Sequence, residues 1–311
     1  MVNCFLNFLL CTHLALYLHP RTFLNCFAML AARTVLVLLG SVLLAELLQW
    51  VVGNVSPQDL TFPLNWALAV AGVVALWVAH REWGERAWMR EFRSVDMACA
   101  LLTLIGLWCV VGGLLPPMGA ESLAGRLGWH NFATSWPFVW LLGLLLAHLE
   151  CVMLHRLSER GGRKGAFLCV HGGLWLALTA GMVGSADFSD RRAVVGRDKP
   201  TRTAYDRSGR ESALAYTLQL REFKVDRNPA NGTVEQYEAE LAVDGEPVNL
   251  RVNHPFAAGL AEDLYLVSYD TLAPQPRYCI VQVVRQPAKY LMVAGIALLM
   301  LGVAWRLLLR L

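Results

Sequence analysis

Charge is what this sequence has least of. Asp, Glu, Lys and Arg make up 16% of its 311 residues, against about a quarter in a soluble globular chain. The net charge of +3 is too small an excess to point to a nucleic-acid partner. Catalytic and nucleotide signatures are missing as well: there is no P-loop, no H-E-x-x-H and no dinucleotide fingerprint. The 8 cysteines include no C-x-x-C pair, so no disulfide framework or zinc site is in view. All but Cys279 lie in apolar segments or the N-terminal stretch, where cysteine behaves as a small hydrophobe.

What is there is apolar: 56% of the residues are hydrophobic and the mean hydropathy is +0.44. A membrane span needs about 20 such residues in a row. Five stretches qualify before residue 190, at 34–52, 63–79, 95–115, 136–154 and 166–185, and a sixth at 290–309. The expected architecture is therefore a polytopic α-helical membrane protein of about six transmembrane helices. A polar region inserted before the last helix has the size of one small domain. The expected divisions are an N-terminal segment 1–33, a five-helix domain 34–185, an extracytoplasmic β domain 186–288 and a last helix 289–311.

Lys and Arg in short loops set orientation. The loop after the second stretch carries Arg81, Arg86, Arg90 and Arg93, and that after the fourth carries Arg156, Arg160, Arg163 and Lys164. The intervening loops hold only Arg126. Both termini are thus expected on the cytoplasmic side and the polar domain outside. The N-terminal "VNCFLNFLLCTHLALYLHPR" has neither a basic start nor a small-residue cleavage site. It reads as an interfacial helix, an extra span, or translation from an upstream start codon.

In the polar region, "QYEAELAVDGEPVNLRVNHP" alternates apolar and polar residues on both sides of Asp244-Gly245, the pattern of a β-hairpin. Further strands are expected over 213–225, 263–269 and 278–285. The first changes phase between Leu220 and Phe223, which predicts a bulge. The domain is expected to be a small antiparallel sheet or sandwich. Cys279 has no companion cysteine there, so a thiol–disulfide role would need a second protein.

Ionisable side chains inside apolar stretches are functional hypotheses by default. His171 lies about six residues from the basic end of its stretch, roughly 9 Å at 1.5 Å per residue. Trp175, Leu178 and Met182 share its face, while Gly173, Ala177, Gly181 and Ser185 form a neighbouring stripe of small residues that lets another helix approach closely. His148 is expected at similar depth on the preceding, antiparallel stretch, either as a companion or as an imidazole bonded to a neighbouring helix. Glu46 is a third such residue. A lone intramembrane imidazole suits two roles, ligation of haem iron in an apolar slot or proton relay, with haem favoured. His254 in "VNHP" is a weaker ligand candidate, a turn residue beside proline.

The segments "HGGLWLALTAGMVGSAD", "LQLREFKVDRNP" followed by "VNLRVNHPFAAGLAEDLYLVSYD", and "YCIVQVVRQPAKYLMVAGIALLMLGV" occur in that order. With "FPLNWAL" and "WPFVWLLGLLLAHLECVMLHRL", they resemble the ResB (CcsB) family of System II cytochrome c biogenesis over most of residues 60–305. The resemblance implies a bacterial inner-membrane protein that helps move haem b outward and presents apocytochrome c for covalent attachment. The implied partner is a CcsA-type membrane protein with a tryptophan-rich haem-handling loop. This chain has 11 tryptophans but no comparable outward loop, so it corresponds to one half of the machinery. It would be at most a non-catalytic or partial subunit of a haem lyase, with no catalytic residue of its own. In fused relatives a transmembrane histidine of this half ligates haem, and its position corresponds to His171; His148 is not carried over. The competing expectations are a cofactor-free assembly scaffold in the membrane and, third, a proton-coupled transporter.

Overall fold

The computed structural model describes residues 32–116, 119–159, 164–273 and 275–308. The expected N-terminal segment lies outside the described residues up to residue 31, as do Arg160 and Arg163. Among the described residues, six helices are long and apolar enough to cross a membrane. They are α1 (Ala32–Val52), α2 (Leu64–Trp83), α3 (Val95–Leu114), α4 (Trp136–Ser158), α5 (Gly165–Gly184) and α6 (Lys289–Leu308). Short helical turns fill the connections, among them Ala87–Phe92 and Leu123–Arg126.

The helix ends follow local chemistry. The Ser94 hydroxyl accepts the Met97 N–H at 3.2 Å and opens α3, satisfying one of the donors a helix start leaves unpaired. Pro137 stands in the first turn of α4, where a missing N–H does no harm. Leu36, Leu43, Leu44 and Leu47 of α1 are all exposed, as in a helix apolar on every side.

The chain divides into two compact units. One takes the chain up to Leu60, Trp66–Leu178 and from Gly295; the other takes Thr61–Asn65 and Thr179–Ala294.

In the helical unit, Leu38, Met97, Ala100, Leu101 and Leu141 form a buried core between α1, α3 and α4. A closed amide network holds the far end of α1. The buried Gln49 amide donates to Asn54 Oδ1 at 2.8 Å and accepts the Trp136 N–H at 3.0 Å, while the Asn54 amide donates to Asn131 O at 2.8 Å. The small-residue stripe of α5 meets α6 backbone to backbone. A Cβ placed on Gly173 would lie 2.6 Å from Gly295 O, and one on Gly295 would lie 2.6 Å from Ala177 N. Gly181, on the same stripe, meets nothing within 4 Å.

The second unit is built on one antiparallel sheet of eight strands in the order β5-β4-β3-β2-β1-β8-β7-β6. The strands are β1 (Ser189–Gly196), β2 (Thr201–Tyr205), β3 (Glu211–Arg227), β4 (Val234–Val243), β5 (Glu246–Arg251), β6 (Phe256–Ala257), β7 (Glu262–Tyr269) and β8 (Tyr278–Arg285). The hairpin read from the sequence is β4–β5, with Asp244 and Gly245 at φ 48° and 93°, the two positive angles that its tight turn demands. The register shifts between Leu220 and Glu222, where the phase change placed a bulge. One sheet, not two, closes the core, because it curls on itself. Tyr237 of β4 and Tyr269 of β7 stand 5.0 Å apart, and the Tyr237 hydroxyl donates to Val267 O at 3.0 Å. Inside lie Val195, Leu218, Leu241, Leu264, Val281 and Cys279, all buried.

The first strand after α5 pairs with the last before α6, from Ser189 opposite Arg285 to Gly196 opposite Tyr278. Gly184 packs against Ala288, and Lys289 Nζ donates to both Asp263 oxygens at 2.7 Å. At the same end Asp187 gathers the segment before α2. Its oxygens accept the Phe62 N–H and the Asn65 amide, each at 2.8 Å, and that amide also donates to Val183 O at 3.0 Å.

Candidate functional site

The ionisable groups gather on α4 and α5. His148 is buried, with 5% of its surface exposed, and its Nδ1 lies 2.7 Å from Phe92 O. A carbonyl only accepts, so this hydrogen bond puts the proton on Nδ1 and leaves the Nε2 lone pair free. His171 repeats the arrangement one helix away. Its Nδ1 donates to Phe167 O at 3.0 Å, and its ring stacks on that of Phe167 at 3.9 Å. The two histidines lie within electrostatic range of each other. An imidazole whose Nδ1–H is held by a backbone carbonyl presents Nε2 in the orientation metal-binding histidines use.

Two histidines that the sequence reading passed over extend the group. His155 stands seven residues after His148 on α4, and its ring meets His80 of α2 edge-on at 6.2 Å. The Arg93 guanidinium reaches His80 Nδ1 at 3.4 Å; since arginine only donates, His80 accepts there. Arg156 pairs with Glu159 and lies over the Phe167 ring at 5.8 Å. These residues open the two basic loops, so their arginines were read only as orientation signals. The spacing of His155 from His148, two helical turns on one stripe, was the available sign.

Glu150 was also missed. It is 6% exposed, and among the described residues its Oε1 has no hydrogen-bond partner. A carboxyl in an apolar stretch falls under the same default that singled out its neighbour His148. Trp175 is where that carboxyl leads. The two side chains line one cavity of about 290 Å³ together with Val73, Met153, Leu154 and Leu168, and the Trp175 Nε1–H is likewise buried without a partner. His171 shares a helical stripe with Leu168 and Trp175 but does not line that cavity; its ring is folded back on Phe167.

The remaining candidates are elsewhere. His254 is exposed, in a turn after β5 where its N–H bonds to Arg251 O at 3.0 Å and Asn253 has φ 62°. Glu46 Oε2 on α1 is buried without a partner among the described residues. Cys279 is fully enclosed in the sheet core, and burial pushes its thiol up to about 12, far from the lowered values of reactive cysteines. Among the described residues no group of three or more His, Cys, Asp or Glu side chains is arranged to hold a metal ion.

Residues 157–277 match the ResB-like family. The matched segment starts at the end of α4, takes in all of α5 with His171 and Trp175, and runs through β7 to the threshold of β8. His148 and Glu150 lie before it. The match agrees with the resemblance read from the sequence, to a family of cytochrome c biogenesis. No curated protein sequence matches the chain. A solved structure of the cytochrome c haem lyase CcmF is similar at 14% identity and a TM-score of 0.34, covering 74% of this chain and 42% of that one. The chain thus spans less than half the length of CcmF.

Proposed function

We propose that this chain is a subunit of a System II cytochrome c synthase complex, handling haem in the membrane and presenting apocytochrome c for its attachment. One observation carries the reading: the ResB-like segment joins the helix that bears His171 directly to the eight-stranded sheet. In this reading the chain sits in the bacterial inner membrane with both termini cytoplasmic. The five-helix part 34–185 and the last helix 289–311 cross the bilayer, and the β domain 186–288 stands outside.

Haem b is the cargo. His171 would hold its iron through the free Nε2, with Phe167 O fixing the tautomer. His148, whose Nδ1–H is held in the same way, would be a second imidazole. Trp175 contributes apolar surface on the same helix, and His254 is a site for contact outside. The sheet would meet apocytochrome c or brace a CcsA-type partner, which supplies the tryptophan-rich loop this chain lacks. No residue of the chain is assigned to the thioether-forming step.

The test is an absorption spectrum of the purified protein, alone and coexpressed with a CcsA-type partner, for wild type and His171→Ala. A Soret band lost in the variant and restored by imidazole is the expected result. An unchanged band removes His171 from haem ligation. A complex that forms without ever carrying haem replaces this reading with a cofactor-free scaffold whose sheet binds protein alone.

A further inference from the structure

β3 is far longer than the strand beside it. β2 has 5 residues and β3 has 17. The two pair only from Glu211 to Leu218, whereas β4 follows β3 on to Arg227. From Gln219 onward β3 therefore has β4 on one flank and, among the described residues, no paired strand on the other. A cavity of about 280 Å³ opens there. The β3 residues that line it, Glu222, Phe223, Val225 and Arg227, all belong to the unpaired half. Its other walls are Arg197, just past β1, Tyr269 at the end of β7, and the connection from β7 to β8.

The cavity carries charge that the chain leaves unanswered. Arg197 donates through Nε to Pro276 O at 3.2 Å, and Arg227 through Nη1 to Gly232 O at 3.2 Å. Both acceptors are backbone carbonyls. Among the described residues neither guanidinium pairs with a carboxylate, and each keeps further N–H donors. Glu222 also lines the cavity, but Lys224 stands 3.7 Å from it and offsets its charge. The balance is positive, and a carboxylate is the group whose two oxygens match a guanidinium fork. Phe223 and Tyr269, 4.8 Å apart, give the same cavity an apolar wall. A cavity of about 150 Å³ holds a benzene ring, so this one takes an acidic side chain and an apolar neighbour. A free anion would use the guanidiniums alone. An extended peptide uses the strand edge as well, adding backbone hydrogen bonds where β2 stops while its alternate side chains enter the cavity.

We propose that the unpaired half of β3 takes on an added strand, an extended peptide segment whose carboxylate side chain enters the cavity beside Arg197 and Arg227. Glu222, Lys224 and Asp226 are exposed along this half, and charge on an edge strand deters indiscriminate pairing. The carboxylate is what selects the partner. For the source of the peptide the proposal rests on the functional reading, in which the sheet meets apocytochrome c. The site itself needs no haem, so its failure and the failure of haem ligation are read separately.

The test uses the full-length protein in nanodiscs without haem, titrated with a fluorescein-labelled Val-Thr-Glu-Thr-Val peptide and read by fluorescence anisotropy. Its valines and glutamate share one face when extended. The peptide is expected to bind roughly tenfold more tightly than the same peptide with Gln for Glu, the value of a hydrogen bond to a charged group. N-methylation is the second arm. Methyl groups on the two threonine nitrogens block one edge of the peptide, and those on the other three nitrogens block the opposite edge. Only one of these patterns is expected to abolish binding, since a single edge meets β3. Arg197→Gln with Arg227→Gln is expected to erase the preference for Glu. Should that double variant fail to fold, Arg227→Gln alone, at an exposed position, is expected to cut the preference roughly threefold or more. Equal binding of the Glu and Gln peptides, equal effects of the two methylation patterns, a preference that survives the variants, or no binding at all would overturn the proposal.

Discussion

Gly173 of α5 and Gly295 of α6 touch through their backbones. A Cβ on Gly173 would stand 2.6 Å from Gly295 O, and one on Gly295 would stand 2.8 Å from Gly173 O. Lipid offers no hydrophobic force between helices, so such close approach, with its dispersion contacts, is what holds two spans together.

Gly295→Ala is therefore expected to destabilise the helical unit by about 1–3 kcal/mol, the usual range for overpacking. Gly181→Ala, whose Cβ would meet nothing within 4 Å, is expected to stay within about 0.5 kcal/mol of wild type. Denaturant unfolding in mixed micelles measures both, and equal losses would show that the α5–α6 contact is not what the glycine serves.

His148→Leu removes the bond to Phe92 O and leaves that carbonyl unpaired. A loss of about 1–3 kcal/mol is expected, in protein carrying no haem, by thermal unfolding. A variant as stable as wild type would mean that the 2.7 Å contact contributes nothing to the fold and that the imidazole is held for another purpose.

Asp187→Ala takes away the acceptors of the Phe62 N–H and of one Asn65 bond. Hydrogen exchange at the Phe62 amide is expected to quicken by roughly tenfold or more, the equivalent of about 1.4 kcal/mol. Asp187→Asn, which keeps one oxygen, is expected to fall between. An unchanged exchange rate would dissolve the link between the segment before α2 and the end of α5.

Burial pushes the Cys279 thiol from about 9 up to about 12. The folded thiol keeps its proton where the unfolded one has lost it, so the stabilisation is complete below about pH 9 and is lost as pH rises toward 12. Half-buried tyrosines such as Tyr216 and Tyr237, also raised, add to the same alkaline decline. The measurement is therefore the difference between wild-type and Cys279→Val stability profiles over that window. A difference that does not shrink with rising pH would contradict the enclosed thiol.

Much of the architecture was legible because its signals are local. Uninterrupted apolar runs announced α1 to α6, the Asp244-Gly245 turn announced β4–β5, and a phase slip after Leu220 announced the bulge. Strands β1 and β2 were not foreseen. β1 reads "SDRRAVVG" and β2 "TRTAY", short and rich in arginine, and their pairing depends on β8 and β3, distant in sequence. The candidate site divides in the same way. His148 and His171 declared themselves as ionisable groups in apolar runs, while His80 and His155 were lost among the arginines that begin the basic loops.

What the sequence determined by itself was which segments are long apolar helices, where the β4–β5 hairpin turns, and which titratable side chains lie among apolar neighbours; each depends on residues within a few positions. Which way a side chain turns was decided only by tertiary structure. Leu168, His171 and Trp175 share one stripe of α5, yet Leu168 and Trp175 face a cavity with Glu150 while His171 lies back on Phe167. Helical spacing sets a face, but α2 and α4 set what that face meets. A polar atom in hydrocarbon takes the nearest partner those neighbours offer. For His171 that partner is a carbonyl four residues back. For Glu150 Oε1 and Trp175 Nε1, among the described residues, there is none.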